Sequence, residues 1–277
     1  GQGEIMNGKL YVVGTPIGNL GDFSPRAVET LGSVDFIAAE DTRVTLKLLN
    51  HFGIKKEMIS YFEHNKNSKG DVNVSRLLGG ENCAICTDAG MPAISDPGED
   101  LVRECIENGI DVESIPGPTA FATALAISGM PSRRFTFEGF LSADKKERKA
   151  QLAELTNEKR TMVFYEAPHK LSATLDDMCN AFGDREVAVV KEITKLHESV
   201  MKTTLFKASE HYKTEKPKGE FVIIVGGKSE QEEEITFEKA VEMARSLMQS
   251  GMSVSFAAKE IANSTPYKKG DIYKALL

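Results

Sequence analysis

Short apolar runs alternate with amphipathic stretches through the first 115 residues. Runs such as Leu10-Tyr-Val-Val13 are typical of buried strands, whereas the stretches between them carry apolar residues at helical spacing. This alternation predicts a parallel sheet flanked by helices. The predicted strands are 10–13, 34–39, 58–61, 83–87 and 110–115, and the predicted helices are 24–31, 42–50, 71–78 and 96–108.

A second α/β pattern follows the stiff segment Pro116-Gly117-Pro118. Its predicted strands are 135–140, 161–165, 186–193 and 220–225, and its predicted helices are 119–128, 145–155 and 168–182. The stretch between 193 and 220 has no clear period and is interpreted as a variable excursion. We therefore expect an N-terminal α/β domain over residues 1–115 and a C-terminal α/β domain over residues 116–227.

Residues 228–277 have the pattern of a small helical domain. Gly226-Gly227-Lys228 and the acidic run Gln231-Glu-Glu-Glu234 predict a linker. Three short helices are predicted after it, at 237–250, at 255–261, and from Thr265-Pro266 to Leu276. Such a trio resembles a helix-turn-helix unit. Contact with nucleic acid and a docking or dimerisation role are equally open for this tail.

Composition narrows the class of protein. The chain of 277 residues is 41% apolar and 27% charged, as in soluble globular proteins. It has no run near the roughly 18 apolar residues of a membrane span and no signal-peptide pattern, so we expect a cytoplasmic protein without a membrane partner. The net charge of −7 argues against a surface coated in positive charge for nucleic acid. Cys83-Ala-Ile-Cys86 lies inside an apolar run and is interpreted as buried thiols.

The loop Val13-Gly-Thr-Pro-Ile-Gly-Asn-Leu20 follows the first strand, at the end where α/β proteins bind ligands. It matches neither G-x-G-x-x-G nor a Walker loop, since its glycines are four residues apart and no Gly-Lys-Ser/Thr follows. A ligand loop and a tight structural turn remain equally open.

The loop Thr87-Asp-Ala-Gly-Met-Pro-Ala-Ile-Ser-Asp-Pro-Gly98 contains two aspartates and no lysine or arginine. It lacks a side-chain cation for phosphate and a histidine for a metal, so no metal site is predicted. Asp96-Pro-Gly-Glu99 has the pattern of a capping box, which predicts a structural role for Asp96. The remaining small residues expose main chain beside Asp88. Such a surface suits a neutral or cationic ligand, of which S-adenosyl-L-methionine is one.

Eight motifs in fixed order make the chain similar to the bacterial ribosomal RNA small-subunit methyltransferase I family, within the tetrapyrrole methylase fold. The resemblance runs from about Lys9 to Val225. Four motifs follow strands of the first region: Val13 to Leu20, Ala39-Glu-Asp-Thr-Arg43, Thr87 to Gly98 and Ile115-Pro-Gly-Pro-Thr119. Four lie in the second: Phe137-Glu-Gly-Phe-Leu141, Tyr165-Glu-Ala-Pro-His169, Lys191-Glu-Ile-Thr-Lys195 and Lys218-Gly-Glu220.

This resemblance implies two α/β domains with S-adenosyl-L-methionine in the cleft between them, and a helical C-terminal domain. It implies a homodimer that 2′-O-methylates a cytidine in the decoding centre, on small-subunit ribosomal RNA or the assembled 30S subunit. Where many relatives have a threonine this chain has Met91, so any role of that hydroxyl is lost here. The cofactor residues implied are Asp88, Ala89, Gly90, Met91, Pro92, Ile94, Ser95, Pro118, Thr119, Ala120, Tyr165, Glu166, Ala167, Gly219 and Glu220.

A ribose hydroxyl needs a base or a cation that stabilises the developing oxyanion. Glu192 and Lys195 offer both at a strand end, although a surface ion pair explains them equally well. Asp41 and Arg43 are expected either to orient RNA or to brace the loop after the first strand. The RNA-binding candidates are Arg43, Arg133, Arg134, His169 and Lys170.

Two other readings remain: a precorrin-type methyltransferase of the same fold acting on a small molecule, and a non-catalytic ribosome-assembly protein. The motifs of the second region speak against the first, and the intact cofactor loops against the second.

Overall fold

The computed structural model describes residues 6–61, 69–229 and 235–277. In this part of the chain, the first sheet contains five parallel strands in the order β3-β2-β4-β1-β5. They are β1 (Leu10–Val13), β2 (Phe36–Ala39), β3 (Glu57–Ser60), β4 (Cys83–Cys86) and β5 (Val112–Ile115). The central strands β2 and β4 are buried along their whole length, which explains their continuous apolar sequences.

Helices cover both faces of this sheet. They are α1 (Pro25–Ser33), α2 (Thr42–His51), α3 (Lys69–Leu78) and α4 (Gly98–Glu107). Alternate residues of β4 point to opposite faces: Cys83 and Ile85 pack with α3 and α4, whereas Ala84 and Cys86 pack with α1 and α2. Cys83 and Cys86 are buried free thiols, as predicted, and burial raises the pKa of Cys86 to about 12.

The second sheet is mixed, with the order β6-β7-β10-β8-β9. Strands β6 and β7 are parallel, whereas β10 is antiparallel to both β7 and β8, and β8 is antiparallel to β9. Helix α5 (Ala120–Ser128) packs on one face, and α6 (Lys145–Glu154), α7 (Leu171–Phe182) and α8 (Leu205–Thr214) pack on the other. The strands are β6 (Phe135–Phe140), β7 (Thr161–Glu166), β8 (Glu186–Lys191), β9 (Ser199–Thr204) and β10 (Phe221–Val225).

The predicted excursion between β8 and β10 is instead regular structure, formed by β9 and α8. Strand β9 lies at the sheet edge, and four of the six residues in its sequence SVMKTT are polar because only part of it packs on the core. Helix α8 buries only Leu205, Ala208 and Ser209 along its length. Neither element therefore shows the regular spacing of apolar residues from which strands and helices are predicted.

The C-terminal helices are α9 (Phe237–Gln249), α10 (Val254–Ser264) and α11 (Lys269–Leu276). They share a core of small and β-branched residues: Ala240, Ala244, Ala257, Ala258, Ile261 and Ile272. The predicted start of the third helix at Thr265-Pro266 is wrong, since α11 begins after Lys268. The hydroxyl of Thr265 is bonded to the carbonyl oxygen of Ile261, so it closes α10 instead. Residues 231–234 of the predicted linker lie outside the described residues.

The chain divides into two compact units. The first contains both sheets, up to Leu155 and again over Thr161–Gly226, and the second contains Thr156–Arg160 and Gly227–Leu277. Two α/β sheets followed by helices confirm the predicted fold class, while the exact domain boundaries stay a prediction. In the described ranges, no helix is long and apolar enough to cross a membrane.

Candidate active site

The loop after β4 is held against the loop after β1 by main-chain hydrogen bonds. Thr15 and Gly90 each donate an N–H to the other's carbonyl oxygen, at 3.0 Å in both directions. Gly90 has a φ of +86°, in the region that favours glycine. A Cβ atom at this position would also lie 3.1 Å from the carbonyl oxygen of Pro118. Glycine therefore lets three segments of main chain meet.

A second close approach joins Gly14 to Gly117. A Cβ atom on Gly117 would lie 2.7 Å from the Cα of Gly14, well inside the roughly 3.5–4.0 Å of a normal carbon contact. The turn after β1 and the segment after β5 thus touch main chain to main chain. This contact brings Thr119 and Ala120, at the start of α5, to the same edge of the sheet as Gly90.

Asp96 braces the loop that precedes α4. Its carboxylate accepts hydrogen bonds from the N–H of Ala93 at 3.0 Å and the N–H of Gly98 at 2.8 Å. Ala93 and Ser95 have φ values of +67° and +57°, which are uncommon for residues other than glycine. The predicted capping box is wrong in its geometry, because the N-cap is Pro97, which makes no side-chain cap. The structural role of Asp96 is nevertheless real, and burial raises the pKa of its carboxyl group.

Residues 87–96 form what we call the main-chain wall, and Phe121, Phe137, Phe140 and Tyr165 form the aromatic wall. Phe121 and Phe137 stack with ring centroids 4.6 Å apart, and Tyr165 meets Phe137 and Phe140 edge-on at 5.1 and 5.5 Å. The Tyr165 hydroxyl accepts the N–H of Phe121 at 2.9 Å, which satisfies one free donor of α5. Burial raises the pKa of Tyr165.

The two walls line a cavity of about 420 Å³ at the carboxyl ends of the strands. The predicted cofactor residues that line it are Ala89, Gly90, Met91, Ile94, Thr119, Ala120, Tyr165, Glu166, Ala167 and Glu220. The predicted residues that are not among the lining are Asp88, Pro92, Ser95, Pro118 and Gly219. The lining residues that sequence reasoning did not assign to the site are Ile17, Thr87, Asp96, Phe121, Phe137, Phe140, Pro168, Ile193, Phe221 and Val222.

Asp88 has a structural partner beside the cavity. Its Oδ1 accepts the N–H of Asp41 at 3.1 Å, and its own N–H is donated to Glu40 Oε2 at 3.1 Å. Glu40 also accepts the hydroxyl of Thr87 at 2.6 Å. Burial and the neighbouring Glu40 raise the pKa of Asp88. These bonds fasten the loop after β4 to the start of α2.

Glu166 is also occupied by neighbours, although it lines the cavity. It is buried, and its two carboxylate oxygens accept the hydroxyl of Thr174 at 2.6 Å and the N–H of Ala167 at 2.8 Å. The carboxylate therefore holds the turn after β7 against α7. Gly219 has a comparable structural reason, because a Cβ atom there would overlap the side chain of Glu192.

Glu192 and Lys195 form an ion pair in the turn after β8. The Lys195 Nζ lies 2.9 Å from Glu192 Oε2 and 3.5 Å from Glu220 Oε2. The hydrogen bond with Glu192 raises the pKa of Lys195. Glu192 and Thr194 both have positive φ, at +53° and +66°. Ile193, between them, and Glu220 line the cavity, so the pair stands at its edge.

The turn after β8 is also tied to the loop after β1. The side-chain amide of Asn19 donates to the carbonyl oxygen of Thr194 at 3.0 Å, and the Thr194 hydroxyl donates to Asp22. The bracing of that loop by Asp41 and Arg43 stays a prediction. Asp41 caps α2 through the N–H of Arg43 at 2.9 Å, and its carboxylate pairs with the Arg43 guanidinium.

The candidate RNA contacts do not form a single patch. The side chain of Arg43 is 87% exposed, and its guanidinium pairs with Asp41. Arg133 and Arg134 precede β6, whereas His169 and Lys170 follow β7. Because β6 and β7 are parallel, these two pairs lie at opposite ends of the sheet, roughly 20 Å apart at about 3.3 Å per residue. Of these four residues, only His169 and Lys170 lie at the end of the second sheet that carries the cavity.

Comparison with known proteins places the chain in a family. A family model described as Tetrapyrrole (Corrin/Porphyrin) Methylases matches residues 9–209. The protein named ribosomal RNA small subunit methyltransferase I in Synechocystis sp. is 45% identical over 272 residues, which covers 98% of each chain. The chain belongs to the ribosomal RNA small subunit methyltransferase I family. The member from Thermotoga maritima is 46% identical over 221 residues, which cover 80% of this chain and 99% of the Thermotoga protein.

Among solved structures, a cobalt precorrin-4 methyltransferase superposes with a TM-score of 0.57 at 20% identity, covering 79% of this chain and 94% of its own. That likeness establishes the fold. Membership of this methyltransferase family raises the question of whether the cavity fits a methyl donor. The glycine cradle at Gly90 and the apolar and aromatic lining fit a cationic sulfonium cofactor, and the lining residues within 6–61, 69–229 and 235–277 include no lysine, arginine or histidine. Within the described ranges, no cluster of three histidine, cysteine, aspartate or glutamate side chains could hold a metal ion.

Proposed function

We propose that the protein transfers a methyl group from S-adenosyl-L-methionine to the ribose 2′-hydroxyl of a cytidine in the decoding centre of small-subunit ribosomal RNA. The observation that carries the proposal is the 45% identity, along 98% of both chains, with a protein named for methylation of this RNA. The motif resemblance supplies the finer target, the cytidine and its ribose oxygen. The cavity supports it by joining the predicted cofactor loops at one site.

Binding of the cofactor falls to the main-chain wall, Thr119 and Ala120, with the aromatic wall opposite. Asp96 and Glu220 place negative charge at the lining, which favours a ligand that carries a sulfonium and an ammonium group. When bound, S-adenosyl-L-methionine supplies an electrophilic methyl group, and the protein contributes alignment with the hydroxyl. Met91 keeps the shape of the loop without offering a hydroxyl donor.

Lys195 is the group best placed to act on the ribose oxygen. Its raised pKa keeps the amine protonated at neutral pH, so it does not accept the hydroxyl proton. A protonated amine does stabilise the oxyanion that develops as that proton passes to solvent water. We therefore assign Lys195 to oxyanion stabilisation and Glu192 to positioning the Lys195 ammonium.

Single-turnover methylation tests this assignment. Lys195→Ala should lower the rate about 100-fold, the usual effect of removing one oxyanion donor, and Lys195→Arg should retain part of it. Glu192→Gln should move the alkaline limb of the pH–rate profile to lower pH, because Lys195 loses the partner that raises its pKa. Lys207→Ala, an exposed lysine on α8, is the matched control. Near-wild-type rates with both Glu192 and Lys195 altered would remove them from the mechanism.

The proposed reaction itself is tested with labelled S-adenosyl-L-methionine, undermethylated small subunits and naked small-subunit RNA, followed by mapping of the modified ribose. We expect label on one cytidine 2′-oxygen. Label on a base, or methylation of a tetrapyrrole but not of RNA, would overturn the proposal. Isothermal calorimetry with the cofactor separates an enzyme from a binding protein, since no binding heat would favour the latter.

The remaining expectations concern partners. Loss of a phosphate contact at Lys170 should reduce the salt slope of RNA binding by about one unit. Because the proposed substrate is the ribosomal small subunit, we expect the protein in the cytoplasm. The homodimer stays a prediction, which light scattering checks.

A further inference from the structure

Strand β6 contains an irregularity beside the cavity. Phe137 pairs with Val163 of β7, but Gly139 pairs with the next residue, Phe164, so Glu138 has no partner of its own on β7. Gly139 has a φ of +66° at this bulge. One extra residue in a strand changes which face each later side chain takes.

The bulge brings Phe140 to the face that carries the site. Phe140 pairs with Tyr165, which lies two residues after Val163 and therefore on the same face of β7. Phe137 and Phe140 consequently share that face although they are three residues apart. A regular strand would send Phe140 to the opposite face, towards α6 and α7.

Phe140 differs from the rest of the aromatic wall in its exposure. Phe121, Phe137 and Tyr165 are half-buried, whereas Phe140 is 66% exposed. Its ring meets Tyr165 at an interplanar angle of 65°, an edge-to-face contact rather than a stack. A large apolar ring is thus held at the rim of the cavity with much of its surface in solvent.

The surroundings of Phe140 suit nucleic acid. Lys145 and Lys146 follow β6 within six residues, and His169 and Lys170 follow the neighbouring parallel strand β7. No ion-pair partner of the three lysines is found in the described part of the chain. Single-stranded RNA is bound where aromatic rings stack on bases and nearby cations meet phosphates.

We propose that Phe140 is a stacking platform for a nucleobase of the RNA segment that is methylated. The inference rests on the proposed function and adds a substrate-positioning residue to it. All four rings of the aromatic wall line the cavity, and Phe140, at its rim, offers its exposed face to the base. The bulge at Glu138 is the feature that turns the ring to this position.

A fluorescent reporter tests the contact directly, since the chain contains no tryptophan. The single tryptophan of Phe140→Trp should be quenched by small-subunit RNA and left unchanged by S-adenosyl-L-homocysteine alone. Phe206→Trp is the matched control, because Phe206 is 58% exposed on α8, which packs on the opposite face of the sheet. Quenching by the cofactor product with no further effect of RNA would overturn the proposal, because the ring would then cover the cofactor.

Kinetics provide the second arm. Phe140→Ala should lower kcat/KM for undermethylated small subunits by about 5- to 150-fold, the range of one base–aromatic stack, mainly through KM. Phe140→Leu should be similarly impaired, whereas Phe140→Tyr and Phe206→Ala should be close to wild type. Because Phe140 also borders the cofactor cavity, cofactor affinity is measured for each variant, and a loss of affinity as large as the loss of kcat/KM would contradict stacking on the RNA. Full activity of Phe140→Leu would contradict stacking, because it would show that any apolar side chain is sufficient at this position.

Two further outcomes separate this inference from the proposed function. If the wild type methylates small-subunit RNA and Phe140→Ala does so equally well, only the stacking proposal fails. If the wild type is inactive on RNA, the proposed function fails and this inference fails with it.

Discussion

The two walls of the cavity are built from different parts of the polypeptide. The main-chain wall presents peptide groups and small side chains, and its shape depends on the contacts of Gly14 with Gly117 and of Thr15 with Gly90. The aromatic wall presents rings from α5, β6 and β7. The main-chain wall is therefore sensitive to added atoms, whereas the aromatic wall is sensitive to the removal of atoms.

The largest effect is expected from adding a single methyl group next to the main-chain wall. Gly117→Ala places a Cβ atom 2.7 Å from the Gly14 Cα, where only main chain can move, so the free energy of unfolding should fall by about 3 kcal/mol. Gly32→Ala is the matched control, since nothing lies within 4 Å of a Cβ atom there and alanine favours its helix. Urea unfolding measures both; equal stabilities would show that the glycine contact is not needed.

A smaller effect is expected where the main-chain wall depends on a side chain. Asp96→Ala leaves the N–H groups of Ala93 and Gly98 without their acceptor, which should destabilise the protein by about 2 kcal/mol and weaken cofactor binding. Ala93→Gly in the same background should restore part of that loss, because glycine adopts a φ of +67° without strain. Calorimetric titration and urea unfolding measure the pair. No recovery in the double variant would mean that the loop is not held in place by Asp96.

On the aromatic wall, removal of one oxygen atom should matter less than either change. Tyr165→Phe keeps the ring but leaves the N–H of Phe121 without its acceptor, at a cost of about 1 kcal/mol. Cofactor affinity should fall only slightly because the apolar surface remains. A loss as large as that of Asp96→Ala would mean that the hydroxyl itself binds the ligand.

The smallest effect is expected in how the free energy of unfolding depends on pH. Burial raises the pKa of Asp96 in the folded protein above its ordinary value of 3.8, so the folded state binds the proton more readily than the unfolded state. This contribution is fully present below 3.8 and is lost as the pH rises through the raised pKa, so stability falls there. Asp96→Asn should flatten that decline in the unfolding free energy as the pH rises above the ordinary value of 3.8. The pKa of Asp88 is raised as well, so its contribution to the pH dependence should remain in the Asp96→Asn variant.

The centre of the first sheet could be predicted because strands β2 and β4 are fully buried and therefore continuously apolar, as in Cys83–Cys86. Strand β9 could not, since an edge strand packs on one side only and keeps polar residues such as Lys202. The order of the strands also depends on pairings across long stretches of sequence, which local patterns do not specify.

The main-chain wall could be predicted because its glycines, prolines and aspartates stand in one contiguous loop. Of the aromatic wall, the sequence predicts only Tyr165. Phe121, Phe137 and Phe140 are spread over a helix and a strand and resemble ordinary core residues. The motif Phe137-Glu-Gly-Phe-Leu141 carries the missing signal, since a glycine between two phenylalanines is where a bulge forms. The charge of Asp88 has no partner that can be recognised in the sequence, and the structure provides one in the N–H of Asp41.

The tie between Asn19 and Thr194 has a consequence for how the protein is made. It joins residues 175 positions apart, and the cavity draws its lining from Ile17 to Val222. During synthesis the first sheet leaves the ribosome while the partners of its loops are still untranslated. The nascent chain therefore gains a core long before it gains a binding site. A chain released early, at the end of β5, is expected to bury Leu10 and Ile85 as the finished protein does, and to have no place for a cofactor.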